Sequence, residues 1–146
     1  MSKLSEYEIN IKIKLSALWA SVMSLYIYCD YFELYTPNKL QSMIDGTTRF
    51  GSGDQGVLLG LSAIVLVTSL MICLSILLPA AINRVLNILV GLIMTLMLGF
   101  LAYVAGWYFY KMYAAVESLL TLLIAWLAWK WPKTSAKELG SNRNVR

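Results

Sequence analysis

The sequence contains no histidine and only two cysteines among its 146 residues. Without histidine, the chain cannot form His-ligated metal or haem sites, Ser-His-Asp or Cys-His nucleophilic systems, or the commonest general base. The two cysteines form no Cys-x-x-Cys motif, which excludes a thioredoxin-like redox site. We therefore expect no catalytic residue, no metal site and no cofactor, and an enzymatic activity is the less favoured interpretation.

Charged residues are also scarce, at 14% of the chain, whereas hydrophobic residues make up 59%. A soluble domain usually has about a quarter charged and about half apolar residues, so both deviations indicate a membrane protein. The net charge of +4 comes from basic residues near the chain ends, without a nucleic-acid recognition motif. We expect no nucleic-acid partner and interpret residues 130–146 as a basic cytoplasmic tail that contacts anionic lipid.

Four apolar segments reach the length of about 20 residues that a helix needs to cross a bilayer. The run from Val85 to Trp131 would extend about 70 Å as one helix, so it must turn back, and AGWYFYK at 105–111 is the natural corner. Pro79 and the following AAINR are predicted to form a tight turn between the second and third spans. The predicted spans are 15–35, 57–78, 85–105 and 112–129, in a single membrane domain of residues 1–146.

The distribution of basic residues predicts the orientation of these spans. The first fourteen residues, MSKLSEYEINIKIK, are too polar for a cleavable signal peptide, so the first span is expected to stay attached. Lys12 and Lys14 precede the first span, Arg84 lies between the second and third, and the basic tail follows the fourth. By the positive-inside rule, both termini are predicted to be cytoplasmic. The predicted fold class is all-α, an integral membrane four-helix bundle.

The first outer loop, residues 36–56, is long for a connection between neighbouring helices. Thr36 could cap a short helix that starts at Pro37 and ends at Gly46. We therefore predict that TPNKLQSMIDG forms a short helix over the outer end of the bundle, with an irregular loop as the alternative.

Small residues at intervals of four predict close contacts between helices. Gly56 and Gly60 form a GxxxG motif at the start of the second span, and Gly91, Thr95 and Gly99 repeat along the third. The favoured interpretation is packing inside one bundle. A homodimer interface is the alternative, because the spacing alone does not distinguish the two.

Acidic and aromatic residues recur at helical spacing in the first and last spans. Tyr26, Asp30 and Glu33 are spaced to share one helical face, and two tyrosines precede Glu117 in the fourth span at similar spacing. Intramembrane charges normally face a bundle interior or water, and counting residues places these groups in the outer third of the membrane. The candidate residues of an outer ligand or ion pocket are Tyr26, Asp30, Glu33, Lys111, Tyr113 and Glu117.

These residues leave several functions open. The favoured one is a non-enzymatic membrane protein that binds a small or lipidic ligand, or a partner, at the outer pocket. A proton-coupled small transporter is an alternative, although small multidrug exporters carry their essential glutamate deep in the first span, whereas Asp30 and Glu33 lie near its outer end. For the acids themselves, a structural rim at head-group level with Lys111 as their partner is at least as well supported as a ligand or ion site.

Several motifs resemble a family of small, uncharacterised bacterial four-span proteins whose arrangement is similar to that of the DoxX-like group. They are KLSALW entering the first span, CDYFELYTP leaving it, LNILVG opening the third, and the WYFY and AWKWP segments around the fourth. The resemblance covers most of residues 12–133 and implies a four-helix bundle in the bacterial cytoplasmic membrane. Some DoxX-like proteins are membrane subunits of thiosulfate or quinone redox systems. A quinone-linked redox subunit is therefore a further alternative, disfavoured by the missing cofactor ligands.

Overall fold

The computed structural model describes residues 7–48 and 51–131. This part of the chain is predominantly helical, which confirms the predicted helical class, and it contains five α-helices and a short β-hairpin. Most of the predicted basic tail, from residue 132 onward, lies outside the described residues. The elements are α1 (Ile11–Glu33), α2 (Lys39–Ile44), β1 (Thr47–Thr48), β2 (Gly51–Ser52), α3 (Gln55–Leu77), α4 (Ala80–Val104) and α5 (Tyr108–Trp129).

The four long helices pack with α1 in contact with both α3 and α5, while α4 packs mainly against α5. Although α3 and α4 are joined by a tight connection, they contact each other little. Lys12 of α1 reaches the last carbonyl groups of α3, and Arg84 of α4 reaches the last residue of α5. We call this end, which carries Lys12, Lys14, Arg84 and Lys130, the basic end. The opposite end, which carries α2 and the β-hairpin, is the loop end.

Many large apolar side chains are exposed and several polar side chains are buried, which is the reverse of the distribution in a soluble protein. In α3, the most apolar helix, only 11% of the most apolar stretch is buried, compared with 33% in the less apolar α5. Large side chains such as Leu77, Leu96 and Phe100 are exposed, whereas several polar side chains are buried. The hydrophobic core consists of Leu15, Trp19, Val22, Met71, Met94, Leu98 and Ile124.

Three helices, α3, α4 and α5, are long and apolar enough to cross a membrane, which indicates a membrane protein. Helix α1 has the same length as α3, 23 residues, but does not meet the same criterion. Serine and tyrosine residues and four charged residues interrupt its apolar positions, whereas α3 has no charged residue. The fourth span therefore stays a prediction.

The predicted boundaries between helices were wrong at two turns. Helix α4 begins at Ala80, five residues earlier than predicted, so AAINR is its first part and not a loop. Pro79 immediately precedes it, because a proline lacks the N–H that a helix start leaves unpaired anyway. Helix α5 begins at Tyr108, four residues earlier than predicted, which reduces the corner to residues 105–107. Counting apolar residues to bilayer length underestimated both helices.

The predicted short helix in the first loop is present, but its start was wrong. Helix α2 follows Asn38, whose φ of 62° is left-handed. Thr36 instead donates its hydroxyl to the carbonyl oxygen of Glu33 at 2.7 Å, so it closes α1. Gly46, with a φ of +67°, follows the end of α2 as predicted. An unpredicted hairpin then pairs β1 with β2 in antiparallel register.

A buried hydrogen-bond network joins α1, α3 and α4 near the basic end. The Asn87 Oδ1 atom accepts hydrogen bonds from Trp19 Nε1 at 2.8 Å and from Ser75 Oγ at 3.3 Å. Its Nδ2 group donates to the backbone and side-chain oxygens of Asn83 at 2.9 and 2.6 Å. Asn83 donates in turn to the carbonyl oxygen of Ser75. All four residues are completely buried, so Asn87 has its full set of partners inside the chain.

At the basic end, two basic side chains donate hydrogen bonds to carbonyl groups at helix C-termini. Lys12 Nζ donates to the carbonyl oxygens of Leu78 and Ile76 at 2.6 and 3.2 Å, and Arg84 donates to Trp129 O at 3.2 Å. The last carbonyl groups of a helix have no intrahelical partner and carry partial negative charge. These contacts therefore hold α1 against α3 and α4 against α5.

We predict that Asn87→Leu destabilises the protein by about 2 kcal/mol or more, because it leaves the buried Trp19 and Asn83 groups without partners. Thermal unfolding in detergent measures the effect. The control is Leu96→Ala, which shortens a side chain that is 75% exposed. Equal melting temperatures for the two variants would contradict a structural role for the network.

Candidate functional site

The small residues that recur every four positions on α4 are Gly91, Thr95 and Gly99, and they lie where α4 contacts α5. A Cβ atom on Gly91 would come within 3.1 Å of Thr121 O and 3.2 Å of Ala125 Cβ, so any larger residue would require α5 to shift by a few tenths of an ångström or more. One helical turn further, the hydroxyl oxygens of Thr95 and Thr121 are 2.9 Å apart. Gly99 follows, with Ser118 Oγ 3.4 Å from where its Cβ would be.

The glycines on α3 have a different environment. Gly56 and Gly60 are both exposed, and a Cβ atom on Gly60 would meet nothing within 4 Å. No described helix of the chain covers this face of α3, so the GxxxG motif does not act in packing inside the chain. A homodimer interface at this face stays a prediction.

We predict that Gly91→Leu destabilises the chain strongly, because the side chain must push α5 away from α4. Gly60→Leu, the matched control, should leave stability of the monomer unchanged. Thermal unfolding and size-exclusion chromatography in detergent check both variants. Similar melting temperatures for the two would contradict the α4–α5 packing, and a change of oligomeric state in Gly60→Leu alone would identify a dimer interface.

The six candidate pocket residues do not lie in one pocket. Glu33, at the end of α1, pairs with Lys39 Nζ at 3.1 Å, and the two side chains are 14% and 22% exposed. Lys111, the expected partner of the acids, makes no side-chain ion pair or hydrogen bond with the described residues. Glu33 lines a polar cleft of about 320 Å³, whose residues are Glu33, Thr36, Pro37, Asn38, Lys39, Ser42 and Thr48.

Tyr113 lines a second, mostly apolar cavity of about 440 Å³, which we call the aromatic groove. It lies between the end of α1 and the start of α5, and it shares Thr36 and Pro37 with the polar cleft. The two cavities therefore adjoin at the loop end. The residues of the aromatic groove are Phe32, Tyr35, Thr36, Pro37, Trp107, Phe109, Met112 and Tyr113.

The remaining three candidates, Tyr26, Asp30 and Glu117, come together where α1 packs against α5. Tyr26 and Asp30 are close enough to Glu117 for their charges to interact, and the Tyr26 hydroxyl lies 4.0 Å from Met94 Sδ. Asp30 is exposed, whereas Glu117 is only 3% exposed. Its Oε1 atom is buried and has no hydrogen-bond partner among the described residues.

The bounds of α5 give the position of Glu117 along this helix. Because α5 begins at Tyr108, nine residues separate its first residue from Glu117, which is about 13 Å of helix. Glu117 is therefore near the middle of α5, and Glu33 is at the very end of α1. The predicted outer pocket thus divides into a surface part and a buried part.

Sequence patterns did not single out Trp19, Ser75, Asn83 or Asn87 as site residues. Two asparagines four positions apart in an otherwise apolar helix were the available signal, because lipid offers no partner for them. Their hydrogen bonds are all made within the chain. We therefore assign this network to the fold and not to a ligand site.

Comparison with known proteins gives one match. A protein-family model described as a family of unknown function, DUF6326, matches residues 2–138. No curated protein and no solved structure is significantly similar to the chain. This match agrees with the predicted resemblance to an uncharacterised family, while the likeness to the DoxX-like group stays a prediction.

Proposed function

This chain belongs to DUF6326, a family of unknown function, and we propose that it is a four-span membrane protein that binds an amphiphilic ligand at its loop end. The observation that carries the proposal is the aromatic groove, which adjoins a polar cleft between α1, the first loop and α5. The activity is non-enzymatic: the ligand is bound and not converted.

The distribution of exposed apolar and buried polar side chains supports a membrane location. The most apolar helices turn their leucine and phenylalanine side chains outward, and asparagine, threonine and glutamate side chains lie inside. Lipid is the solvent in which this distribution is stable, since each polar group must find its partner within the protein. Helix α1 fits the same scheme as the fourth span, because its least exposed face packs between α3 and α5.

The orientation is supported by the charges at the two ends. Lys12, Lys14, Arg84 and Lys130 belong to the basic end, which the positive-inside rule assigns to the cytoplasm. The loop end then faces outward, and both chain termini face inward. With this topology the protein belongs in a bacterial cytoplasmic membrane, as the family resemblance implies.

The two cavities suit the two halves of an amphiphile. Ligand sites are usually about 300–1,000 Å³ in volume and mostly apolar, with a few polar groups that orient the ligand. The aromatic rings of the groove offer flat apolar surfaces to a planar ring or an acyl chain. Lys39 of the polar cleft has three N–H groups and donates one to Glu33, so it can donate further hydrogen bonds to the oxygens of a head group. A lipid and a quinone both have this chemistry.

We predict that the protein released from native membranes retains a lipid, a quinone or another amphiphile, which native mass spectrometry detects and identifies. Trp107→Ala combined with Phe109→Ala should lose most of it, because both rings line the groove. Tyr108→Ala is the matched control, since Tyr108 lies between them in sequence but is 87% exposed and outside the groove. An empty wild-type protein, or equal retention by all variants, would contradict the proposal.

A further inference from the structure

Glu117 is a buried carboxyl group that the proposed ligand site does not use. Its side chain is 97% buried near the middle of α5, and one of its carboxyl oxygens has no hydrogen-bond partner among the described residues. The neighbouring Thr121 does not supply this partner, because its hydroxyl donates to the backbone carbonyl of Glu117 at 3.0 Å. A buried polar group of this kind requires an explanation.

No basic side chain faces Glu117 from the helices packed around it. Helix α1 contributes Tyr26 and Asp30, and α3 has no charged residue at all. The one charged residue of α4 is Arg84, which lies at the basic end and donates to Trp129. The charged residue that interacts with Glu117 is therefore Asp30, whose carboxylate repels the negative form of Glu117.

A buried carboxylate without a cation is very unfavourable, and a second carboxylate nearby makes it more so. The group must therefore bind a proton or a small cation when the helices are packed as they are here. Neither the polar cleft nor the aromatic groove includes Glu117 among its lining residues. A proton needs no cavity and fits this environment best.

We propose that Glu117 is a reversible proton-binding site that is reached from the loop end past Asp30. A proton passes from water at the loop end to the Glu117 carboxylate and forms its O–H bond, and the neutral acid is stable in the α1–α5 contact. Release of the proton to the same side restores the carboxylate. The exposed Asp30, two helical positions before the groove residue Phe32, lies between Glu117 and the outside.

The position of this site connects it to the aromatic groove, a step that rests on the proposed function. Tyr113 lines the groove one helical turn before Glu117, and Phe32 lines it from α1 just beyond Asp30. When Glu117 loses its proton, repulsion from Asp30 acts on α1 and α5 directly beneath the groove. The α1 and α5 walls of the groove then move apart and the ligand is released. The ligand is therefore bound only while Glu117 carries its proton.

Infrared spectroscopy of the protein in lipid tests the proton site without any ligand. Wild type should show the stretching band of a protonated carboxyl group that disappears reversibly as the pH is raised. Glu117→Gln should lack this band, and Glu33→Gln, the control, should keep it. A band that persists in Glu117→Gln, or a wild-type protein without a pH-dependent band, would overturn the proposal, including the case in which a metal cation occupies Glu117.

A distance measurement tests the movement. Spin labels at Tyr28→Cys on α1 and Tyr108→Cys on α5, both exposed positions, are introduced with Cys29→Ala and Cys73→Ala. Double electron–electron resonance should show a longer distance at alkaline pH, and the shift should vanish in Glu117→Gln and shrink in Asp30→Asn. An unchanged distance in wild type would overturn the coupling. Both measurements remain decisive if no amphiphile is retained, which separates this proposal from the proposed function.

Discussion

Every polar side chain inside these helices must find its partner within the chain, because neighbouring lipid offers none. This constraint applies most strongly to helix α1. It carries four charged residues, yet it packs against both α3 and α5 and places Trp19 in the centre of the core. The hydrogen bond from Trp19 to Asn87 satisfies the indole N–H and fixes α1 against α4. Since α3 and α4 contact each other little, Asn87 and Ser75 also provide much of the connection between them.

The constraint is met in the network around Asn87 and is not met near the middle of α5. Asn87 uses all of its donors and acceptors, so it stabilises one arrangement of the helices. Glu117 is equally buried, but it has an oxygen without a partner and faces Asp30. A buried polar network in which every hydrogen bond is made stabilises one fold. A buried acid without a hydrogen-bond partner instead indicates a group that binds and releases a proton or a cation. The binding chemistry of the protein is therefore expected at Glu117 and in the groove above it.

The sequence predicted the helical class and the short loop helix, because long apolar runs and turn residues are local signals. It did not predict the early start of α5, since bilayer-length counting ignores helix that extends beyond the apolar run. Identical spacing of small residues had opposite outcomes, with Gly91 in a tight contact and Gly60 exposed. The pairing of Trp19 with Asn87 depends on residues 68 positions apart, which no local pattern specifies.

We propose that α1 crosses the membrane with the face that includes Ser16 and Trp19 packed inside the helical bundle. Labelling of single cysteines with a membrane-impermeant maleimide tests it most directly, at Tyr7→Cys before α1 and at Ser52→Cys in β2, with both native cysteines replaced. We expect Ser52→Cys to react from outside the intact cell membrane and Tyr7→Cys to react only after the membrane is permeabilised. Reaction of both positions from the same side would show that α1 does not span the membrane.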